Sequence, residues 1–388
     1  MSDSLVGNVL AVQLECLSPV SNAILGGIIS EALNYENVEE IYGSINGFCG
    51  VLNHDFIDLA SQPQQTIRDL TFTPGAALGT FSDFGHLSEE MDSIFSTFKE
   101  YNIHFLLIIG GFEAQSVAFQ LSQHAQEHNY EINIISIPDT IFNNLPITDH
   151  CLGYGSASKF IATTILELSR YAAAIANHDL VNIIEISTKK SDWLVASALL
   201  SPTPNIILLP SAHFQEAKFM EDIQNILKTN HYCNVIAGDS LIDREGNYIT
   251  NRNMDASTKL RDILEESLEV RTLITKLGTL PYAAAHFLSK TDVDEAYACG
   301  AKAASFALDG LTGKMITILR SESGRYGAEF GVADLANICG HEKMIPGHWF
   351  GDNGKLNANF PKYALPLIQG NIALAEDNGV SKFATLKK

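Results

Sequence analysis

Gly110 and Gly111 stand between an apolar run and an amphipathic stretch, which is the pattern of a strand that turns into a helix. Glycines in such a turn let the backbone approach a phosphate group, and the amino terminus of the helix favours an anion. A tight turn between a strand and a helix uses the same residues without any ligand. The pair therefore indicates either a phosphate site or a plain turn.

A polar loop follows the next apolar run and is a second place where side chains could do chemistry. It contains Asp139, Thr140, Asn143 and Asn144, whose carboxyl, hydroxyl and amide groups can hold a ligand or move a proton. Phe142 lies among these polar residues. An aromatic ring in that position either packs against a neighbouring side chain or closes a pocket, and we favour packing.

Basic residues mark two further positions. Lys189 and Lys190 follow a strand-like run that ends at Ile186, and His286 lies shortly before a predicted helix. Lysines at a strand end could bind phosphate, although a solvated charge pair is commoner, and a lone histidine is more often structural than catalytic. The chain has no Ser/His/Asp set, no H-E-x-x-H motif and no complete phosphate-binding loop. The residues alone thus predict anion sites without defining a reaction.

The positions of these side chains are set by the strands and helices next to them. The hydrophobic periodicity of the chain predicts that strands and helices alternate. Continuous apolar strands between amphipathic helices indicate parallel sheets that are covered on both faces. Right-handed crossovers then make doubly wound α/β domains, whose ligands lie at the carboxyl ends of the strands. We expect strands at 8–14, 104–109, 131–137, 180–186, 205–209, 234–237, 270–276 and 314–319, and helices at 21–33, 113–128, 156–176, 193–200, 214–228, 257–267 and 292–308. The segment 347–359, rich in Gly, Asn and Asp, is predicted to be loop.

The composition is that of a folded protein with a sizeable core. With 388 residues the chain exceeds the usual size of a single core, so two lobes are expected. Hydrophobic residues make up 46% and charged residues 18%, as in compact globular proteins. The net charge of -20, without a Lys/Arg cluster, argues against a nucleic-acid partner. An anionic ligand would therefore need a local basic pocket.

Six cysteines lie scattered along the chain, and the absence of a C-x-x-C pair argues against a zinc site. In a chain of this length such scatter is typical of reduced thiols in the cytoplasm. The first residues lack the basic region of a signal peptide, and no apolar run reaches the length of a membrane span. We therefore expect a cytoplasmic protein with no membrane and no nucleic-acid partner.

Several segments resemble the pyrophosphate-dependent phosphofructokinase family, in matching order along nearly the whole chain. The two most specific are 134–159 (IISIPDTIFNNLPITDHCLGYGSASK) and 277–297 (LGTLPYAAAHFLSKTDVDEAY). The others are 73–79 (TPGAALG), 312–315 (TGKM) and 366–370 (PLIQG). On these segments the sequence is identified as a divergent member of this family.

The resemblance implies an α/β fold of two doubly wound lobes with a cleft between them. It places 1–157 with about 277–325 in a phosphoryl-donor lobe, and 158–276 with about 326–388 in a sugar-phosphate lobe. The family transfers a phosphoryl group from pyrophosphate to the 1-hydroxyl of fructose 6-phosphate with magnesium, while an aspartate takes the hydroxyl proton. Family members form dimers and tetramers, so a homo-oligomer is expected.

On the donor side, the residues that the family uses for catalysis are replaced. Phe142 stands at the position of the catalytic base, Asn144 at that of a second acid, and Asp139 at that of a lysine that favours pyrophosphate. An aromatic ring cannot accept the proton, and an aspartate would repel pyrophosphate. The other replaced positions on this side are Glu15, Cys16, Ser82, Phe112 and Glu113.

The sugar-phosphate side departs from the family in the same way. The replaced positions are Ser187, Thr188, Ser211, Pro281 and Tyr282, and the retained candidates for substrate binding are Gly110, Gly111, Thr140, Asn143, Lys189 and His286. A general base contributes roughly 10²–10⁴-fold to such a rate, and a charge-stabilising arginine roughly 10³–10⁵-fold. We therefore expect the chain to keep the fold of the family but to lack phosphofructokinase activity.

Three functions stay open at this point. The first is an inactive homologue with a structural, regulatory or ligand-binding role, as a homo-oligomer or together with an active paralogue, and with a phosphorylated small molecule as a ligand. The second is a remodelled enzyme in which Asp139, Glu113 and Asp149 supply a new base or metal ligands, which requires these carboxylates to converge. The third is a residual phosphotransferase that uses pyrophosphate or ATP. Mg²⁺ is expected only with activity, and no other cofactor or metal site is predicted.

Overall fold

The computed structural model describes residues 5–15, 18–81, 87–203, 206–250, 254–321, 324, 326–351 and 354–388. Its strands are β1 (Gly7–Leu14), β2 (Val38–Ser44), β3 (Phe56–Asp58), β4 (Ile103–Gly110), β5 (Asn133–Pro138), β6 (Leu180–Ile186), β7 (Ile206–Leu208), β8 (Tyr232–Gly238), β9 (Arg271–Lys276), β10 (Lys314–Arg320), β11 (Ala328–Asp334), β12 (Glu376–Asp377) and β13 (Val380–Ser381). Its helices are α1 (Ser21–Ala32), α2 (Phe48–Leu52), α3 (Gln64–Thr71), α4 (Met91–Glu100), α5 (Phe112–Glu127), α6 (Tyr154–Ile175), α7 (Trp193–Ala196), α8 (Glu216–Leu227), α9 (Ala256–Ser267), α10 (Lys290–Leu308), α11 (Leu335–Ile338) and α12 (Asn359–Ala364).

The chain divides into two compact units. The first comprises Met1–Tyr154, Tyr282–Lys343 and Gly370–Lys388, and the second comprises Gly155–Pro281 and Met344–Gln369. The sequence-based division assigned about 326–388 to the second lobe. The structure places 326–343 in the first unit because β11 pairs with β10 along its whole length. It places 370–388 there as well, where the backbone N–H of Ala384 donates to Thr73.

A seven-stranded sheet organises the first unit, with the strand order β11-β10-β5-β4-β1-β2-β3. Strands β10, β5, β4, β1 and β2 run parallel, as expected. The edge strands β11 and β3 are antiparallel to their neighbours, which the sequence did not predict. The connection from β10 to β11 is too short for a crossover, so only antiparallel pairing is available to it.

Both faces of this sheet are buried, because successive residues of a strand point to opposite sides. On β1, Val9 and Ala11 belong to one apolar cluster, and Leu10 and Val12 belong to another. Residues of α1 and α10 complete the first cluster, and residues of α4 and α5 complete the second. The continuous apolar run of β1 is thus the direct result of burial on two faces.

The second unit contains a four-stranded parallel sheet in the order β7-β8-β6-β9. Helices α8 and α9 contribute Phe219, Ile223, Leu260 and Leu264 to its core. The carboxyl ends of β6 and β8 are adjacent, since Ile186 pairs with Gly238. Side chains that follow these two strands are therefore neighbours.

The predicted strands and helices are present, with ends that shift by about two residues at most. The helix expected at 193–200 is α7 followed by a 3₁₀ turn, Ser197–Leu200. Sequence analysis missed short or polar elements, chiefly β2, β3, β11 and α2–α4; β2, for example, exposes Glu39 and Glu40 and has no apolar run. The predicted loop at 347–359 contains a 3₁₀ turn, Gly347–Trp349, before α12 begins. Among the described residues, no helix has the length and hydropathy needed to cross a membrane.

Helices α1 and α10 cross at two glycines, and this close crossing yields a stability prediction. A Cβ atom at Gly27 would overlap the carbonyl oxygen of Tyr297, and one at Gly300 would overlap that of Ile24. Gly300→Ala should therefore lower the free energy of unfolding by roughly 1–3 kcal/mol through overpacking. Without the close crossing, the same substitution would raise the free energy of unfolding by about 1 kcal/mol, because alanine favours a helix more than glycine does. A decrease therefore indicates that the two helices are in close contact at Gly300. Urea unfolding measures it.

Gly327→Ala is the matched control in the same unit, because among the described residues a Cβ atom there meets Ser321 alone, at an ordinary contact distance of 3.6 Å. We expect the control to change the free energy of unfolding by less than about 0.5 kcal/mol. Equal stability of the Gly300→Ala variant and the parent would contradict the close crossing.

Candidate functional site

The candidate site in the first unit lies where β1, β4 and β5 end. These strands are adjacent and parallel, and their last residues pair in register, Leu14 with Gly110 and Gly110 with Pro138. The residues that follow, Glu15, Gly111 and Asp139, are consequently brought to one edge of the sheet. In doubly wound folds this edge is where ligands bind.

The side chain of Glu15 occupies the amino terminus of α5. Its Oε2 accepts a hydrogen bond of 3.0 Å from the backbone N–H of Glu113, and a Cβ atom at Gly111 would lie 2.8 Å from the same oxygen. Glu15 adopts a φ of 70°, in the left-handed region that a bulky residue rarely enters. A helix amino terminus attracts anions, and here the chain supplies its own anion. Cys16, the neighbouring replaced position, lies outside the described residues.

Asp139 is buried and holds an unusual carboxyl group. The hydroxyl of Ser21 donates to its Oδ2, while its Oδ1 has no hydrogen-bond partner within the described parts of the chain. Burial raises the pKa of Asp139 to about 7; the hydroxyls of Ser18 and Ser21 oppose this shift, and the charges of Asp292 and Glu15 add to it. The carboxyl group is therefore partly protonated at neutral pH.

The ring of Phe142 is buried, with 1% of its surface exposed. It contacts Tyr282 edge-on, with the ring centroids 6.1 Å apart and the planes at 74°. Phe142 was predicted to replace a residue of the donor side, and Tyr282 a residue of the sugar-phosphate side. These two side chains thus pack against each other. The backbone N–H of Phe142 donates to Thr140 Oγ1 at 3.3 Å, so this hydroxyl helps to hold the loop.

Lys343 holds the same loop, and sequence analysis missed it. Its Nζ donates to Asn143 Oδ1 at 2.8 Å and to the carbonyl of Asp149 at 3.0 Å, and its backbone N–H donates to the carbonyl of Asn144. Burial lowers the pKa of Lys343 to about 8. Asn143 Oδ1 also accepts from the N–H of Cys151. No local motif marks a lysine that lies 200 residues away from its acceptor.

Asp149 belongs to a buried ionic network. Arg320 donates to its carboxylate from Nε and Nη2, at 3.1 and 2.9 Å, and His150 Nδ1 lies 3.0 Å from it. His150 Nε2 contacts Glu295 at 2.8 Å, and Tyr326 donates to the other oxygen of Glu295. Burial opposes the protonation of His150, but Glu295 and Asp149 raise its pKa to about 9. Burial would raise the pKa of Asp149, yet the hydrogen bonds from His150 and Arg320 lower it strongly.

The three carboxylates proposed for a remodelled active site have different partners. Asp139 bonds to Ser21, and Asp149 bonds to Arg320 and His150. Glu113 is exposed, and its described contact is the backbone hydrogen bond to Glu15. These contacts engage Asp139 and Asp149 separately, so the remodelled base stays a hypothesis.

At the edge of the second unit, Asp239 binds the hydroxyls that follow β6. Ser187 Oγ donates to its Oδ2 at 2.9 Å, and Thr188 donates to its Oδ1 from Oγ1 at 2.7 Å and from the backbone N–H at 3.2 Å. Lys189 and Lys190 are exposed in the left-handed region, at φ values of 44° and 70°. A half-buried carboxylate that follows β8 is thus hydrogen-bonded to the loop that carries the two lysines.

A second carboxylate binds the serine that follows β7. Asp192 is 3% exposed and accepts from both the backbone N–H and the hydroxyl of Ser211. Burial raises the pKa of Asp192. Neither Asp192 nor Asp239 was a candidate in the sequence analysis, because both contacts join residues that are far apart along the chain.

The remaining candidate positions are Pro281, His286, Phe112 and Ser82. Pro281 is buried and ends a segment of the second unit, whereas Tyr282 begins a segment of the first. His286 is exposed on a 3₁₀ turn, Ala285–Phe287, with its ring 4.5 Å from that of Phe287. Phe112 is the first residue of α5 and is half-buried. Ser82 lies outside the described residues.

The residues present do not fit the magnesium ion that the resemblance implies. Magnesium prefers charged carboxylate oxygens and octahedral geometry. Phe142 and Asn144 offer no charge, Asp139 is buried with a raised pKa, and Glu15 caps α5. Among its described residues, this edge of the sheet therefore lacks a ligand set suited to Mg²⁺.

Comparison with known proteins identifies relatives of the whole chain. The phosphofructokinase family model matches residues 8–306. The chain is 28% identical over 403 residues to a pyrophosphate–fructose 6-phosphate 1-phosphotransferase of Halomonas elongata, which covers 98% of this chain and 96% of the relative. Crystal structures of pyrophosphate-dependent phosphofructokinases from Nitrosospira multiformis and Marinobacter aquaeolei superpose with TM-scores of 0.92 and 0.91, each at 29% identity over 98% of this chain and 96% of the other.

The buried carboxyl group of Asp139 predicts a pH dependence of stability. Because its pKa is raised from 3.8 to about 7 in the folded state, the folded protein binds the proton more tightly than the unfolded chain. Protonated Asp139 therefore contributes up to roughly 4 kcal/mol to the free energy of unfolding below about pH 4. This contribution is lost as the pH rises from about 4 to about 7.

Asp139→Asn should therefore flatten the decline in unfolding free energy between about pH 5 and about pH 8. Urea unfolding at several pH values measures the slope. Glu127→Gln, a change at an exposed position at the end of α5, should leave the slope as in the parent. A parental slope in Asp139→Asn would show that another group controls the pH dependence.

Removal of the Glu15 carboxylate should open the amino terminus of α5 to an added anion. Glycine accepts the φ of 70° at this position. In Glu15→Gly, millimolar pyrophosphate should raise the Tm by on the order of 2 °C, whereas the parent should show no rise. Glu15→Gln removes the charge but keeps an oxygen acceptor for the backbone N–H of Glu113. It therefore distinguishes electrostatic repulsion of pyrophosphate from occupation of the helix amino terminus. An equal rise in the parent would contradict the blocking role of Glu15.

Proposed function

The chain belongs to the phosphofructokinase family, and we propose that it is a catalytically inactive member with a structural, regulatory or ligand-binding role. The observation that carries this proposal is the burial of the Phe142 ring against Tyr282 at the position of the catalytic base. A phenyl ring accepts no proton, and general-base catalysis is worth roughly 10²–10⁴-fold. Packing of the ring also leaves no room for a substituting carboxylate at that point.

The electrostatics of the donor side support the same conclusion. Phosphoryl transfer depends on positive groups that stabilise the charge of the transferred phosphate. At the corresponding strand ends the chain presents the Glu15 carboxylate on the α5 amino terminus and the carboxyl group of Asp139 beside Ser21. A pyrophosphate ion would have to displace the first and approach the second. Both effects weaken binding of the donor.

The second unit supports the proposal independently. Asp239 and Asp192 accept hydrogen bonds from Ser187, Thr188 and Ser211, which stand at three replaced sugar-phosphate positions. The hydroxyls are therefore engaged by carboxylates of the chain itself. Lys189 and Lys190 are the cations next to them, and both are exposed. A phosphorylated small molecule would have to bind through these lysines against two nearby negative charges.

A residual phosphotransferase is the second candidate function. The observation in its favour is the match to the Halomonas elongata pyrophosphate–fructose 6-phosphate 1-phosphotransferase over 98% of this chain. Thr140, Asn143, Lys189 and His286 are the retained positions it would use. The sugar phosphate would be fructose 6-phosphate or a related ester, and the donor pyrophosphate or ATP, with Mg²⁺ supplied by the solution.

A coupled assay of fructose 1,6-bisphosphate formation distinguishes the two candidates. With fructose 6-phosphate, Mg²⁺ and either pyrophosphate or ATP, we expect the parent rate to equal that of the Phe142→Ala/Lys189→Ala double variant. The purified relative from Halomonas elongata is the positive control. A donor-dependent parent rate that disappears in the double variant would establish the phosphotransferase instead.

Restoration of the two acids should not rescue the reaction. In Phe142→Asp/Asn144→Asp the base returns, but the Glu15 carboxylate still lies on the α5 amino terminus and Tyr282 still occupies a replaced position on the sugar-phosphate side. Charge stabilisation at such a site is worth roughly 10³–10⁵-fold, so the rate should stay at background. The same coupled assay measures it. Turnover in this variant would mean that the base alone was missing.

An inactive member acts through what it binds, and we propose assembly with further subunits in the cytoplasm. The described cysteines Cys49, Cys151, Cys233, Cys299 and Cys339 form no disulfide, as in a reducing compartment. The assembly is a homo-oligomer or a hetero-oligomer with an active paralogue. Size-exclusion chromatography with light scattering, of the chain alone and mixed with an active family member, measures it; a monomer in both samples would contradict it.

A further inference from the structure

Two helices of the first unit bring three potential metal ligands together. Asp92 lies in the first turn of α4, His124 in the last turn of α5, and His128 immediately after α5. One ligand atom of each residue lies within 4.8 Å of the others, and His124 Nε2 is 3.6 Å from Asp92 Oδ1. His124 precedes the end of α5, whereas the strand-end site borders its beginning, about 18 Å away along the helix.

The spacing of the two histidines explains why both reach one point. Residues four apart lie on the same helix face, and the rings of His124 and His128 stack with centroids 4.0 Å apart and planes at 21°. His128 Nδ1 contacts the carbonyl of His124 at 3.0 Å, which leaves Nε2 as the atom for a metal. A hydrogen bond from the second ring nitrogen is the usual way in which a metal-binding histidine is oriented.

The third ligand is positioned by the neighbouring helix. Phe95 lies three residues after Asp92, on the same side of α4, and its ring centroid is 4.6 Å from that of His124. The contact limits rotation of the imidazole, while 92% of the Asp92 side chain is exposed. Asp92 and His128 can therefore adjust around a more restrained His124.

We propose that Asp92, His124 and His128 form a binding site for one divalent transition-metal ion of the Zn²⁺ type. Ligands of a tetrahedral Zn²⁺ ion lie about 3.3 Å apart, so the 3.6 Å between His124 and Asp92 is already close, and small side-chain rotations bring in His128. Imidazole nitrogens favour zinc, nickel and copper, whereas magnesium and calcium require oxygen ligands. Three protein ligands leave one coordination position for water or an external ligand. The site is independent of the proposed function.

Titration of the full chain with Zn²⁺ against a chromophoric chelator tests the site. The parent should bind one equivalent with saturation, and a hundredfold excess of Mg²⁺ should not compete, since two of the three ligands are nitrogens. His124→Ala and His128→Ala should each weaken the binding by at least about 100-fold, and Asp92→Asn by about 10-fold. Zn²⁺ should raise the Tm of the parent and of neither histidine variant.

His231→Ala is the matched control, because His231 also faces a carboxylate, Asp179 at 3.5 Å, but belongs to no group of three potential metal ligands among the described residues. It should bind Zn²⁺ as the parent does. His128→Gln, a conservative change at an exposed position, guards against loss of folding, and its metal-free Tm should equal that of the parent. Absence of a saturable equivalent in the parent, or unchanged affinity in both histidine variants, would overturn the proposal.

Discussion

The positive end of helix α5 is the electrostatic constraint around which the first site is built. Unpaired N–H groups at a helix amino terminus need an anion or an acceptor. In this chain Glu15 supplies it from the end of the neighbouring strand β1, at the cost of a left-handed backbone conformation. The charge so placed contributes to the raised pKa of Asp139, which is buried beside it. The single residue Glu15 thus affects both the space at the amino terminus of α5 and the electrostatic potential at Asp139.

A common pattern links the two units although each is built separately. In each of them a carboxylate of the chain binds donors at a strand end where the family resemblance implies a phosphate: Glu15 in the first unit, Asp239 and Asp192 in the second. Intramolecular carboxylates satisfy these donors without any ligand. The loops can therefore stay ordered in the absence of substrate, which is what a structural role requires.

The fold is maintained by contacts that are separate from this chemistry. The apolar alternation of β1, the buried members of the two clusters on either face of its sheet and the glycine crossing of α1 and α10 involve none of the replaced positions, although Phe112 packs against the second cluster. The polar loop is held by Lys343 through Asn143, and its aromatic residue packs against Tyr282. The buried ring of Phe142 thus has an aromatic partner at the point where the family resemblance implies a base.

Sequence alone determined the strands and helices with strong periodicity and the α/β class, because burial on both faces of a parallel sheet produces continuous apolar runs. The family followed from the resemblance of specific segments, chiefly 134–159 and 277–297. The same resemblance predicts that Phe142, Asn144 and Glu15 stand at replaced positions. Only the tertiary structure decided what those side chains contact. The antiparallel edges β3 and β11, the hold of Lys343 on Asn143 and the carboxylates Asp192 and Asp239 depend on residues far apart along the chain. A pattern of local hydrophobicity contains no information about such pairings, since they arise only when the folded chain brings distant polar groups to one point.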